Sequence, residues 1–283
     1  MDQKRIDVYR DRYFIYDEPV PYTLNNDGQK TEIKIYPVRM NEWVDFVDYC
    51  GVLNIDKNSI PSPDIISMSY LKYMLEIQYK FDRMVEGQNY TYGDLQRGRF
   101  QKVMIMCLKE YYVDIREDKV TGKIFVVIGD EDEEDDKKFI MKAKMTNKEF
   151  LEVVDIIFYQ NFVNYSNEKM SPDIKELYDE YIRLKTRDQN EPTLEQKVNF
   201  VLIHSSIDSD KIKDMTYRRF MGIYQCALDE SLYFSNRLSE VSPKYDVKKY
   251  REYYMFEKKD KYNGFFLSQE KASEIKNLGS FNE

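Results

Sequence analysis

The chain has 283 residues, 42% hydrophobic and 15% aromatic, enough for one large domain or two ordinary ones with a real core, so disorder is not the default. One third of its residues are charged and the net charge is -8, giving a mean field that repels nucleic acid and anionic membranes. Ten glycines, one histidine and the lack of any apolar run of membrane-spanning length argue against dinucleotide-binding loops, multi-histidine metal sites and spanning helices.

Residues 1–20 are charged and tyrosine-rich without an apolar stretch of signal-peptide type. Residues 1–30 read as an irregular, partly extended arm, because Pro19 and Pro21 limit helix and Asn25, Asn26, Asp27 and Gly28 form a turn cluster. Thr31 to Val38 alternates Ile33 and Ile35 against Glu32, Lys34 and Tyr36, as a half-buried strand does. A helix from about Asn41 buries Trp43, Phe46, Val47 and Cys50.

In Ser62-Pro63-Asp64 the serine can cap a helix, the proline needs no N–H and the aspartate meets the positive helix end. The pattern predicts one long helix to about Val85 with Ile65, Met68, Leu71, Met74, Leu75 and Gln78 inward, ended by a loop from Gly87 to Gly93. A further helix over about 96–111 buries Phe100, Val103, Met104, Cys107 and Leu108.

Tyr112 to Arg116, Lys123 to Gly129 and Lys137 to Met145 read as an antiparallel three-stranded meander. Thr146 and Glu149 have capping-box spacing before a helix with Phe150, Leu151, Val154, Ile157, Phe158 and Phe162 on its broad apolar face. A loop near 166 is the candidate boundary between an N-terminal helical region, 1–165, with its arm and meander, and a C-terminal helical region, 166–283.

Beyond it, Ile174, Leu177, Tyr178 and Tyr181 mark a helix, and 186–192 a polar linker. Thr193 and Gln196 start a helix with Leu194, Val198, Val201, Leu202 and Ser205 on one face. Thr216 caps another carrying Phe220, Ile223, Tyr224, Ala227, Leu228, Ser231 and Leu238. Ser242-Pro243 and Ser268 open two last helices. The expected class is α+β and mostly α-helical, with the meander at 112–145 and a short N-terminal strand.

Chemistry-bearing motifs are sparse. His204 has no serine elbow to meet it and reads as a partly buried helix histidine. Cys50, Cys107 and Cys226 are odd in number, far apart and set in apolar helical patterns, which favours buried reduced thiols. The run Asp130, Glu131, Asp132, Glu133, Glu134, Asp135, Asp136 could attract cations or a basic partner surface. It fails the EF-hand pattern, since Asp135 and Met141 stand where glycine and glutamate belong, and a solvated hairpin tip is the favoured reading. Glu32 and Lys34, with Asp17 upstream, match half of a metal-dependent nuclease site, a triplet that any exposed Lys/Glu-rich strand produces. Lysines and tyrosines over 244–261 resemble a weak nucleic-acid surface diluted by Asp246, Glu252, Glu257 and Asp260.

Two stretches, Lys57 to Leu75 (KNSIPSPDIISMSYLKYML) and Ile212 to Phe220 (IKDMTYRRF), resemble segments of tail-module proteins from phages of low-GC Gram-positive bacteria, of the type described as tail-assembly chaperones. The resemblance implies binding to other tail proteins, the tape measure or tail tube, without catalysis, cofactor or metal. The host cytoplasm is then the expected location, with retention in the virion as an alternative. Arg218, Arg219, Tyr250, Tyr253 and Tyr254 join the acidic run as candidate partner-binding residues, and a homo-oligomer is compatible with the same surfaces. A structural virion component such as a connector or tail-completion protein, a metal-dependent nuclease and a binder of host-defence complexes stand as alternatives.

Overall fold

The computed structural model describes residues 3–26, 29–54, 62–131, 139–162, 180 and 192–240. They form an α+β, mostly helical protein with a two-stranded and a three-stranded antiparallel sheet, as the sequence pattern predicts. Packing divides the chain into two units, Met1–Glu168 with Val201–Tyr224, and Lys169–Phe200 with Gln225–Glu283, so the division falls at no single point in the sequence.

The N-terminal segment departs from the irregular arm expected of it. It forms helix α1, Gln3–Arg12, and strand β1, Val20–Asn26, which pairs with β2, Gln29–Ile35, in a register from Val20 opposite Ile35 to Asn26 opposite Gln29. Val20, Tyr22 and Leu24 bury alternate positions, and in a two-stranded sheet Pro21 can lack an N–H on the unpaired edge. Helix α2, Trp43–Cys50, buries Trp43, Phe46 and Cys50 but leaves Val47, at the edge of their shared stripe, 48% exposed.

The long helix expected over 62–85 is broken. Helix α3, Pro63–Ser67, ends at an extended Met68, and a new start at Ser69, whose Oγ accepts from the Lys72 N–H at 3.3 Å, opens α4, Tyr70–Tyr73, which runs on as a π-turn over Met74–Gln78. Ser62 is extended before Pro63, and its side chain makes no capping bond. Of the expected inward stripe Leu71 and Met74 are buried, joined by Tyr70 and Tyr73, while Ile65, Met68, Leu75 and Gln78 are only half-buried.

Helix α5, Tyr92–Leu108, starts four residues before its expected position. The Thr91–Asp94 capping box, with Thr91 Oγ1 accepting from Asp94 N at 3.1 Å, begins it inside the anticipated loop. The five positions expected to be buried are buried, with Gly93 besides, and Lys109 in the left-handed region (φ 54) ends it.

The meander consists of β3, Tyr112–Glu117, β4, Ile124–Glu131, and β5, Phe139–Met145, in the order β3-β4-β5, with a bulge at Ile128/Gly129. Helix α6, Asn147–Asn161, follows its Thr146–Glu149 capping box, in which the Thr146 N–H donates to Glu149 Oε2 at 2.9 Å. Phe150, Val153, Val154, Ile156, Ile157 and Phe158 are buried, while Leu151 turns outward on the polar side of α6.

Segment 201–224 joins this first unit through backbone as well as side chains. Met40 N donates to Met215 O at 2.9 Å, Tyr217 N donates to Val38 O at 3.1 Å, and Trp43 stacks on Tyr217. Around it run α7, Leu194–His204, α8, Ser209–Asp214, and α9, Tyr217–Glu240. Helix α8 lies between the two helices expected to start at Thr193 and Thr216 and was not expected itself. Asp208 caps it by accepting from Lys211 N at 2.9 Å. His204 and Cys226 are exposed, contrary to expectation, since both lie on the solvent sides of their helices. The helices expected over 174–181 and beyond 241, and the linker at 186–191, lie outside the described residues.

Candidate functional site

Of the acidic run, Asp130 sits near the end of β4 opposite Ile140, with Lys142 Nζ 3.7 Å from its carboxylate and also 2.8 Å from Glu110 Oε1, and Glu131 ends the strand opposite Phe139. Asp132 to Asp136 and Tyr250, Tyr253 and Tyr254 lie outside the described residues.

Arg218 and Arg219 are both engaged within the first unit. Arg218 lies over the ring of buried Phe14 and donates Nη1 to the Tyr159 carbonyl at 2.7 Å, in the last turn of α6, where unsatisfied carbonyls give the helix a negative end. Burial, then the nearby Arg10 charge, pull its pKa below the ordinary arginine value. Arg219 pairs with Asp17 at 2.9 Å, and the other Asp17 oxygen accepts from Thr216 Oγ1 at 2.5 Å. Thr216 caps α9 by accepting from Arg219 N at 3.2 Å. The Asp17 carboxylate is therefore committed to this joint. Glu32 and Lys34 lie on the exposed face of β2. Among the described residues no group of three or more His, Cys, Asp or Glu side chains is placed to hold a metal ion.

Three features had escaped the sequence pattern. The first is the segment between the π-turn and α5. Val85 N donates to Tyr90 O at 3.1 Å, Tyr92 N to Arg83 O at 2.8 Å and Gly93 N to Phe81 O at 2.9 Å, and Gly87 turns the tip at φ 71. A Cβ on Gly93 would lie 2.2 Å from the Tyr79 carbonyl oxygen, so only glycine lets this hairpin-like loop press against the preceding turn. The loop presents Phe81, Met84 and Tyr90 to solvent, 51%, 54% and 39% exposed.

The second is the buried carboxylate of Asp114 on β3. It takes two hydrogen bonds from Arg97 Nε, at 3.3 and 3.1 Å, a close contact from Arg97 Nη2, one from Tyr112 OH at 3.0 Å and one from the Ile115 N–H at 2.9 Å. Nearby, burial and then the Asp114 charge push the Tyr79 hydroxyl above the usual tyrosine pKa, and that hydroxyl has no hydrogen-bond partner.

The third is an open cleft of about 540 Å³ between α1, β1 and the start of α6. Arg5 enters it beneath two rings, 5.4 Å from the Tyr9 centroid and 5.8 Å from that of Tyr22, and its Nη1 reaches Glu152 Oε2 at 3.0 Å. The same oxygen accepts from Tyr22 OH at 3.0 Å, while Glu149 Oε1 accepts from Asn25 N at 3.0 Å. Burial first, then the bond to Glu152, push the Tyr22 hydroxyl well above its ordinary pKa, so it remains a donor.

The signals for these sites were present but short: a capping box at Thr91 for the loop, and the alternation Val20, Tyr22, Leu24 for the floor of the cleft. No family model, curated protein or solved structure matches this chain.

Proposed function

We propose that the chain acts by reversible binding to other polypeptides, as a phage tail-morphogenesis protein of the assembly-chaperone type, without breaking covalent bonds. The observation that carries this reading is the loop at 81–92, which holds Phe81, Met84 and Tyr90 outward on a hydrogen-bonded frame. Aromatic and methionine side chains are enriched where proteins meet, and a frame that is ordered beforehand lowers the entropic cost of association. Val44 and Val47, one helical turn apart on α2, add further exposed apolar surface in the first unit, as Leu232 and Phe234 on α9 do in the second. The partners are the tape-measure or tail tube proteins, the action is cytoplasmic in the host, and the resemblance of 57–75 and 212–220 to tail-module proteins supports the setting. No helix among the described residues is long and apolar enough to cross a membrane.

Co-expression tests the reading. Tape-measure or tail tube protein made together with this chain gains soluble yield and co-purifies with it. Unchanged solubility and no complex with either protein contradict it.

A further inference from the structure

Helix α1 is ten residues long and strongly polar, and among its described side chains only Ile6 is buried; Val8 is exposed. An isolated helix of this length is marginal in water, so α1 stays folded only while docked. Ile6 is its buried anchor, and beside it the ion pair of Arg5 with Glu152 leaves both side chains partly in solvent. The next anchor, Phe14, is buried beneath Arg218, and Asp17 is tied to Thr216 and Arg219, so the chain is pinned just after α1 ends. An element held by so few buried groups belongs to the least stable part of a fold and undocks locally while the rest stays folded.

What α1 covers is a seat suited to a guanidinium. The Tyr22 ring faces the Arg5 cation and the Tyr22 hydroxyl aims the Glu152 carboxylate at it, while Tyr9, the second ring near Arg5, belongs to α1 and leaves with it. Tyr22 belongs to a buried strand position and Glu152 to the second turn of α6, so this arrangement persists when α1 leaves. The cleft beside Arg5 is wider than one side chain, and Thr23, Asn25 and Thr146 supply further polar wall.

We propose that this cleft is a docking seat for an arginine-bearing segment of a partner polypeptide, and that α1 occupies it in cis through Arg5. The partner's arginine takes the place of Arg5 between Tyr22 and Glu152, and an apolar neighbour takes the place of Ile6. Because α1 and the partner compete, the apparent affinity is lowered by the fraction of molecules in which α1 is docked. This inference rests on the reading of the chain as a polypeptide-binding protein and names the chemistry of what it binds.

The test uses the full-length chain and a fluorescein-labelled peptide with the sequence of residues 3–14, added in trans at low ionic strength and followed by anisotropy. Arg5→Ala weakens the cis contact and is expected to tighten peptide binding by about tenfold. Adding Glu152→Gln to that variant returns binding to the wild-type level or below, and a peptide with alanine in place of its Arg5 equivalent does not bind. Equal affinity of wild type and Arg5→Ala, binding indifferent to Glu152→Gln, or no peptide binding to any variant overturns the seat. If any of these occurs while the chain still co-purifies with tail proteins, the seat alone is wrong. Absence of those complexes is what overturns the broader reading.

Discussion

Arg97 closes over Asp114, a carboxylate with no solvent exposure, and is the cation paired with it among the described residues. The charge is supplied from α5 and the carboxylate from β3, so the pair joins the longest helix of the first unit's core to the edge of the meander. Asp114 also accepts from its neighbour's Ile115 N–H, which occupies a backbone donor that the edge strand would otherwise leave open to another strand.

Removing the cation leaves the charge of the carboxylate buried with only the Tyr112 hydroxyl and the Ile115 N–H as donors. Arg97→Ala is expected to lower unfolding stability by about 3–5 kcal/mol, measured by urea denaturation. Replacing both partners, as Arg97→Met with Asp114→Leu, should recover part of that loss, because the buried charge is gone while the Tyr112 hydroxyl and Ile115 N–H lose their acceptor. Equal destabilisation in the single and double variants contradicts this account of the pair.

The close approach of Gly93 to Tyr79 gives a paired test within one helix. Gly93→Ala places a methyl against backbone atoms 2.2 and 2.8 Å away and should cost about 1–3 kcal/mol. Gly98→Ala, five residues on with nothing within 4 Å of its Cβ position, should stabilise by about 0.5–1 kcal/mol. The two urea midpoints must move in opposite directions.

Much of this framework was legible in the sequence, and the reason is locality. The Thr146–Glu149 box and the stripe Phe100, Val103, Met104, Cys107, Leu108 join residues within a turn or two of one another, where spacing reports contact directly. The break at Met68 was hidden because Leu71 and Met74 keep helical spacing across it, and the cap at Ser69 does not disturb that periodicity. Strand β1 was hidden because Pro19 and Pro21 interrupt the polar half of its alternation while Val20, Tyr22 and Leu24 carry the buried half. Arg5 and Glu152 lie 147 positions apart, and Asp17 and Arg219 lie 202 apart, so no local pattern could join them. The exposed loop at 81–92 escaped for a related reason: its order comes from backbone hydrogen bonds, which side-chain periodicity does not report.

Titration should act on the fold from both sides. Asp94 is held below the usual carboxyl range by the Thr91 backbone N–H and then its hydroxyl, so folding favours its charged form. Its contribution is present above the unfolded value and is lost as pH falls through the lowered folded one. The stability difference between wild type and Asp94→Asn should therefore shrink on acidification below about pH 4. Burial pushes the Cys50 thiol up to about 11, and Cys107 is raised by the same cause. The native state holds these protons more tightly, so that stability is intact below the ordinary thiol value and declines as pH rises towards 11. Cys50→Ala should flatten part of this alkaline slope, and an unchanged slope contradicts the assignment.

The same burial orders thiol reactivity. Cys226 is exposed, whereas Cys50 and Cys107 are buried. Under native conditions a thiol reagent at pH 8 should label Cys226 first, and Cys226→Ser should remove the fast phase. A fast phase that survives this substitution shows that another thiol opens to solvent.

On the proposed function, Phe81 and Met84 offer a surface to another polypeptide. The most direct measurement is the affinity of the purified chain for tape-measure and tail tube proteins, wild type against Phe81→Ala/Met84→Ala, with matched urea midpoints showing that the double variant is folded. Aromatic anchors of this kind should make the variant weaker by at least about tenfold for the partner that binds. No binding to either protein by the wild type, or equal binding by the folded variant, contradicts the claim.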